Sequence, residues 1–510
     1  MNIKLLENEV WWGGCVADGL KMPYLANSCF SRSLDPNPTY NQCVPLLLSS
    51  VGRFLYAENA FSFTIEGEEI SISSRYELPV LYEGFGSLKG AYLESCRRFF
   101  PPQGGVPDEA LFTEPQFNTW IEFIYGQNQA GILDYAKSII KAGFRPGVLM
   151  IDCGWSPYNG NLTFDGRSFP DPKAFVDELH DMGFLVMLWL APFISADTVE
   201  YRLLRNAGFL VKDVSGEPSI KHWWDGYSAV LDLTNPGAEE WLYGKLKALE
   251  EEYGVDGFKF DGGDAFYYAD DDVTFSPVTP NGQCELWARF GLRFRLSEYR
   301  ACWKLGGFPL AQRLGDKQHS WGEMGLGTVI PSVLAQGILG YAYTCPDMIG
   351  GGEYLNFLEN SDKLDFELFV RYAQCSALMP MMQFSAAPWR VLDERHSKLC
   401  VAATDLRREY APLILQLAQE SAVTGEPIVR AMEYAFPHEG LARVNDQFML
   451  GDRVLVAPVI TKGAVTRAVA LPKGRWRDSD GAVTEGGCTI IVDAPLDTLP
   501  IFTRLDGDEV

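Results

Sequence analysis

Four short apolar runs in this 510-residue chain end on an isolated aspartate. Val148-Leu-Met-Ile runs into Asp152, and Gly257-Phe-Lys-Phe runs into Asp261 with Asp264 just beyond. Pro309-Leu-Ala-Gln-Arg-Leu leads to Asp316, and Tyr341-Ala-Tyr-Thr leads to Asp347. A single aspartate in such a place is commonly a helix N-cap or a turn residue. Four that gather at one end of a set of strands make a rim of carboxylates, and a rim suits two chemistries. In glycoside hydrolysis one carboxylic acid protonates the departing oxygen while a second carboxylate attacks or activates water. In a divalent-metal hydrolase the same groups hold Mg²⁺. Sugar rings also favour aromatic floors, and Trp155, Trp189, Trp223, Trp224, Trp321 and Trp389 fall in the same region. Trp155 and Trp321 follow closely on Asp152 and Asp316, which tilts the reading toward carbohydrate.

Composition narrows the alternatives. Lys and Arg total 43 against 67 Asp and Glu, a net charge of −24, so phosphate backbones and anionic membrane surfaces are repelled over the general surface. The 5 histidines show no His-Glu-x-x-His and no paired ligand spacing, which argues against a His-based zinc site. No Walker loop and no Gly-x-Gly-x-x-Gly occurs, so the expected chemistry uses no cofactor and no metal. The 11 cysteines include no Cys-x-x-Cys pair, and the N-terminus shows no basic region leading into an apolar run. Free thiols and a cytoplasmic location are the expectation, with an oligosaccharide or glycoside substrate as partner and neither nucleic acid nor membrane.

The elements that must position these acids fall into three textures. Residues 1–116 alternate short apolar runs with turns, as an antiparallel β-sandwich does, and Pro101 to Pro107 reads as a linker. Residues 117–436 alternate strand and helix patterns. The strand candidates begin at Trp120, Val148, Phe184, Gly257, Pro309, Tyr341, Met379 and Pro427. Eight strands with intervening helices suit a (β/α)8 TIM barrel, in which functional side chains sit at the C-terminal strand ends. Counting strands leaves a doubly wound open sheet as the alternative. Residues 437–510 return to β texture, as a small C-terminal sheet domain.

The local motifs carry a family resemblance. Gly257-Phe-Lys-Phe-Asp-Gly-Gly-Asp resembles the nucleophile strand of glycoside hydrolase family 31, whose members are retaining α-glycosidases on a (β/α)8 barrel. Arg313-Leu-Gly-Asp-Lys-Gln-His-Ser-Trp resembles that family's acid/base loop, and Cys345-Pro-Asp-Met-Ile-Gly-Gly its Asp-Ile-Gly-Gly segment. Trp223-Trp224-Asp-Gly and the run from Met379 through Trp389 are most similar to the myogenesis-regulating-glycosidase, α-galactosidase-like branch. The resemblance implies Asp261 as nucleophile and Asp316 as general acid/base, the latter protonated at rest in a dry setting beside Trp321. It implies Asp152, Trp189, Trp224, Lys259, Arg300, Trp321, Asp347 and Gln383 as sugar-binding residues. An exo-acting α-galactosidase is the first expectation, with α-glucoside, α-xyloside and sulfoquinovoside as the other substrates. A non-catalytic sugar-binding relative is the reading from another class. Cys153 after Asp152, Asp264 where Glu is common, and a single C-terminal sheet depart from the family pattern.

Overall fold

The computed structural model describes residues 1–505, and its central sheet is a closed ring of parallel strands. In chain order the strands are Gln116–Asn118, Val148–Ile151, Leu185–Leu190, Gly257–Phe260, Leu296–Tyr299 and Ala311–Arg313, then Thr344–Cys345 with Met348–Ile349, and Gln383–Phe384. Every neighbouring pair is parallel. The two ends of the path, Thr344–Cys345 and Met348–Ile349, are halves of one segment interrupted at Pro346 and Asp347, so the sheet closes as an eight-stranded barrel rather than an open sheet.

Local sequence explains the outer ring. Helix Pro236–Tyr253 starts with Asn235 accepting from Gly237 N and Pro at the first turn, and stops at Gly254, whose φ of 82° suits glycine. Helix Gln129–Lys141 buries Ile132, Tyr135, Ala136 and Ile139, a helical stripe laid on the strands. The link from Leu296–Tyr299 to Ala311–Arg313 carries no helix. It passes instead through the two-residue strand Cys302–Trp303, which adds parallel to Gln42 and Cys43 of the N-terminal region.

That region is the expected sandwich. One sheet orders Asn2–Lys4, Glu69–Ser73, Ser62–Glu66 and Phe30–Ser33, and the other is built on Gln42–Ser49 with Trp11–Cys15, Phe54–Tyr56 and Val80–Tyr82. The C-terminal sheet packs around Trp476, Phe436, Met449, Leu455 and Phe502. Among the described residues no helix is long and apolar enough to cross a membrane.

Three strand expectations need correction. The apolar run from Trp120 is a single helical turn, Trp120–Phe123, and the first barrel strand lies just before it. Pro427 leads into Val429–Arg430, which pairs antiparallel with Phe448–Leu450 in the C-terminal sheet and takes no place in the barrel. The strand that completes the barrel is Leu296–Tyr299, so Asp316 follows the sixth strand and Asp347 interrupts the seventh.

Candidate active site

Strand alternation turns Lys259 and Asp261 the same way, into the barrel mouth. Lys259 Nζ lies 2.9 Å from Asp152 Oδ2 and 3.4 Å from Asp261 Oδ2. Trp189, beside Lys259 in the parallel register, donates from Nε1 to Asp261 Oδ2 at 2.9 Å. Gly262 N donates to Asp261 Oδ1 at 2.8 Å, and Arg300 Nε stands 3.2 Å from the same oxygen. Both carboxylate oxygens are therefore held. Arg300 itself is fixed on a further two sides: it pairs with Asp264, and its guanidinium carbon lies 4.7 Å from the Trp224 ring centroid. A stacked guanidinium of this kind contributes about 0.5–2 kcal/mol.

Burial alone would push the Asp261 carboxyl up, but the charges of Arg300, Lys259 and Arg313, with the Trp189 hydrogen bond, outweigh it and hold Asp261 well below the usual carboxylate range. Asp261 is thus held toward the anionic form that a nucleophile needs. Replacing Lys259 by Met removes one of these cations, so the Asp261 carboxyl rises. The acid limb of kcat/KM is expected to move to higher pH by about one unit or more. A pH–rate profile of Lys259→Met checks this, and an unmoved acid limb would show that Lys259 does not set the charge of Asp261.

Asp316 occupies a different setting. Its side chain is 34% exposed and accepts from Arg313 Nη1 at 2.6 Å. The same Arg313 nitrogen reaches Asp347 Oδ1 at 2.7 Å, and Arg313 Nε lies 3.3 Å from Glu298 Oε1. One buried guanidinium ties three acids from the fifth, sixth and seventh strands.

Asp152, Trp189, Trp224, Lys259, Asp261, Arg300 and Asp316 line one cavity of about 430 Å³, a size that suits a small ligand. Three expected sugar-binding residues lie elsewhere. Trp321 turns away and donates from Nε1 to Asp365 Oδ2 at 2.9 Å, so it gives Asp316 no dry wall. Asp347 is fully buried; a left-handed φ of 76° at the break in its strand aims the carboxylate at Arg313 and at Lys317 N, 2.7 Å away. Burial is the main reason its carboxyl is pushed up to about 6, against the pull of Arg313. Gln383 is also fully buried and donates to Glu298 Oε2 at 2.7 Å behind the cavity wall.

Sequence reasoning missed Arg313 and Glu298 as members of the network, and Tyr40 of the N-terminal region as a cavity residue. Arg313 had a signal in its place at a strand end. Tyr40 had none, because it arrives from a turn-rich loop remote in sequence. As to the metal-hydrolase alternative, no three His, Cys, Asp or Glu side chains among the described residues converge as a metal-holding group. The rim acids face Lys259, Arg300 and Arg313 instead.

Comparison with known proteins agrees with this architecture. The family model described as the glycosyl hydrolases family 31 TIM-barrel domain matches residues 113–301, and that of the family 31 C-terminal domain matches residues 425–507. Asp316 lies between the two spans. The myogenesis-regulating glycosidase of Mus musculus is 34% identical over 416 residues, 79% of this chain and 57% of that protein. Alpha-glucosidase 2 of Bacillus thermoamyloliquefaciens is 25% identical over 412 residues, 74% of this chain and 51% of that protein. The chain thus spans little more than half the length of these curated relatives. Among solved structures, a GH31 dextranase of Flavobacterium johnsoniae complexed with glucose superposes with a TM-score of 0.85 at 20% identity, covering 99% of this chain and 66% of that one. A GH31 α-xylosidase from a soil metagenome, complexed with xylose, gives 0.82 at 21% identity, covering 99% and 79%. With two of its family models together matching more than half of its length, the chain belongs to glycoside hydrolase family 31.

Proposed function

We propose that the protein is a retaining, exo-acting α-glycosidase in which Asp261 is the nucleophile and Asp316 the general acid/base. The observation that carries this is the contrast between two aspartates on one cavity: Asp261 buried and gripped by two cations and an indole, Asp316 on the open side. A nucleophile must be anionic, fixed and desolvated. A proton carrier must meet both a leaving group and an incoming water.

In the first step an Asp261 oxygen attacks the anomeric carbon while Asp316 gives its proton to the departing glycosidic oxygen. Positive charge grows at the anomeric centre, and the carboxylate of Asp261, which lines the cavity, favours it. In the second step Asp316 takes a proton from water, which displaces Asp261 and releases the sugar with its α configuration kept. Trp189 and Lys259 hold the nucleophile from behind, and the Trp224 ring with Arg300 offers a flat wall to the sugar.

For the sugar, an α-galactoside is the first candidate, supported by similarity to the myogenesis-regulating branch. α-Glucoside and α-xyloside follow, supported by the relatives named above as α-glucosidase and α-xylosidase, and sulfoquinovoside comes last. We place the enzyme in a reducing compartment, the cytoplasm, a reading supported by its free cysteines, of which only Cys29 and Cys488 are exposed. Turnover of aryl α-galactoside, α-glucoside, α-xyloside and sulfoquinovoside, followed by NMR of the first sugar released, tests the whole reading. Turnover of one or more of the four is expected, with the α-anomer appearing first. A β-anomer at early times would make the reaction inverting and remove the nucleophile role from Asp261.

A further inference from the structure

Asp316 shares its cavity with exposed, largely apolar side chains. Tyr40, Met324 and Leu355 all line the cavity and are 61%, 62% and 55% exposed. Each is tied to a residue flanking Asp316. Asn41 Oδ1, beside Tyr40, accepts from Gly315 N at 2.7 Å. The Met324 carbonyl accepts from Gln318 N at 2.7 Å. Glu353 N, two residues before Leu355, donates to the Lys317 carbonyl at 3.0 Å. Three separate segments thus bring large apolar groups to one place. A collar so exposed leaves apolar area in water for no structural gain, and such patches mark binding grooves.

Of the polar side chains interleaved with the collar, Glu353 and Asn41 are occupied, and Gln318 also lines the cavity with its amide. The Glu353 carboxylate accepts from Leu355 N and Asn356 N at the start of helix Tyr354–Glu359. The Asn41 amide nitrogen donates to the carbonyls of Arg300 and Arg313. A second hexose in this position would bring several hydroxyls, each needing a partner once it left water. A thioether, an isobutyl group and a phenol ring supply few. They do match an alkyl chain or an aromatic ring.

We propose that the leaving-group subsite beside Asp316 is built for an apolar aglycone, alkyl or aryl, rather than a second sugar. The inference rests on the assignment of Asp316 as the proton donor, because that assignment puts the leaving group on the collar side. It adds to that assignment the chemical class of what departs.

The test compares methyl and hexyl α-glycosides and an α-linked disaccharide, all carrying whichever sugar the panel selects. Methyl and hexyl alcohols are similar leaving groups and differ mainly in apolar area. The hexyl glycoside is expected to exceed both others in kcat/KM by about tenfold or more. In the double variant Met324→Ser, Leu355→Ser the hexyl-to-methyl ratio is expected to fall to about twofold. A disaccharide preferred over the hexyl glycoside, or a hexyl-to-methyl ratio near one in the unaltered enzyme, would overturn the inference. The α-glycosyl fluoride, whose leaving group is a single atom, separates this failure from the other. If no fluoride of the panel sugars is turned over, the glycosidase assignment itself falls. The subsite is then read by calorimetric binding: tenfold tighter hexyl than methyl glycoside, with a negative heat-capacity change, supports the apolar site, and equal affinity overturns it.

Discussion

Asp261→Asn is expected to lower kcat by about 10⁴-fold or more while the chain stays folded. The amide keeps an oxygen for Gly262 N and the shape of the carboxylate, but it is neutral and a poor nucleophile. Breaking a buried ion pair by removing one partner commonly costs about 3–5 kcal/mol. Here the cost is smaller, about 1–3 kcal/mol, because Lys259 keeps Asp152 and Arg300 keeps Asp264 as counter-ions. The two effects are read separately, by steady-state kinetics and by the thermal unfolding midpoint. Activity within tenfold of the unaltered enzyme would remove Asp261 from the chemistry. A chain that no longer folds would show instead that Asp261 serves mainly to neutralise Lys259 and Arg300.

Asp316→Ala is expected to behave differently, because its effect depends on the leaving group. An alkyl or sugar alkoxide needs a proton to depart, and losing the acid should slow such substrates by about 10²–10⁴-fold. An aryl group of low basicity, or fluoride, departs without one, so formation of the glycosyl-enzyme should suffer far less. The second step then becomes limiting for want of a base, and azide, which needs none, should restore turnover. Azide attacks the β-linked intermediate from the face that Asp316 occupied, so the product is expected to be the α-glycosyl azide. Rescue without that product, or an equal loss on all leaving groups, would contradict the role. The same substitution also frees Arg313 from one of its three acids. Asp347 and Glu298 remain to hold it, so the guanidinium is expected to stay in place.

The barrel and most of its acid rim were legible because barrel strands two, three and four are almost continuously apolar and buried, and the second runs out into Asp152 and the fourth into Asp261. The fifth strand, Leu296-Ser-Glu-Tyr, broke that pattern. Its Glu298 points into the barrel, where Arg313, Gln116 and Gln383 satisfy it, and a buried acid in a short segment does not read as a strand. Arg300, expected as a sugar-binding residue, follows directly on that strand and sits against Asp261 and Asp264. The run from Pro427 was misplaced because an apolar strand has the same texture at a sheet edge as in a barrel. Motifs located Asp347 and Gln383 along the chain but carried no information on side-chain direction. A left-handed turn at one and a buried amide network at the other put both behind the cavity. Tyr40 was out of reach of any local pattern, since Asn41 and Gln42 tie its loop to the barrel strands through bonds spanning more than 250 residues of sequence.

The role of Asp261 as a covalent nucleophile is tested most directly by trapping. The 5-fluoro α-glycosyl fluoride of the preferred sugar slows both steps but keeps a reactive leaving group, so the glycosyl-enzyme accumulates. Proteolysis and mass spectrometry should then find one added 5-fluoroglycosyl group, on the peptide containing Asp261 and on that side chain. A label on another carboxylate, or inactivation-free turnover with no labelled peptide at all, would contradict the account.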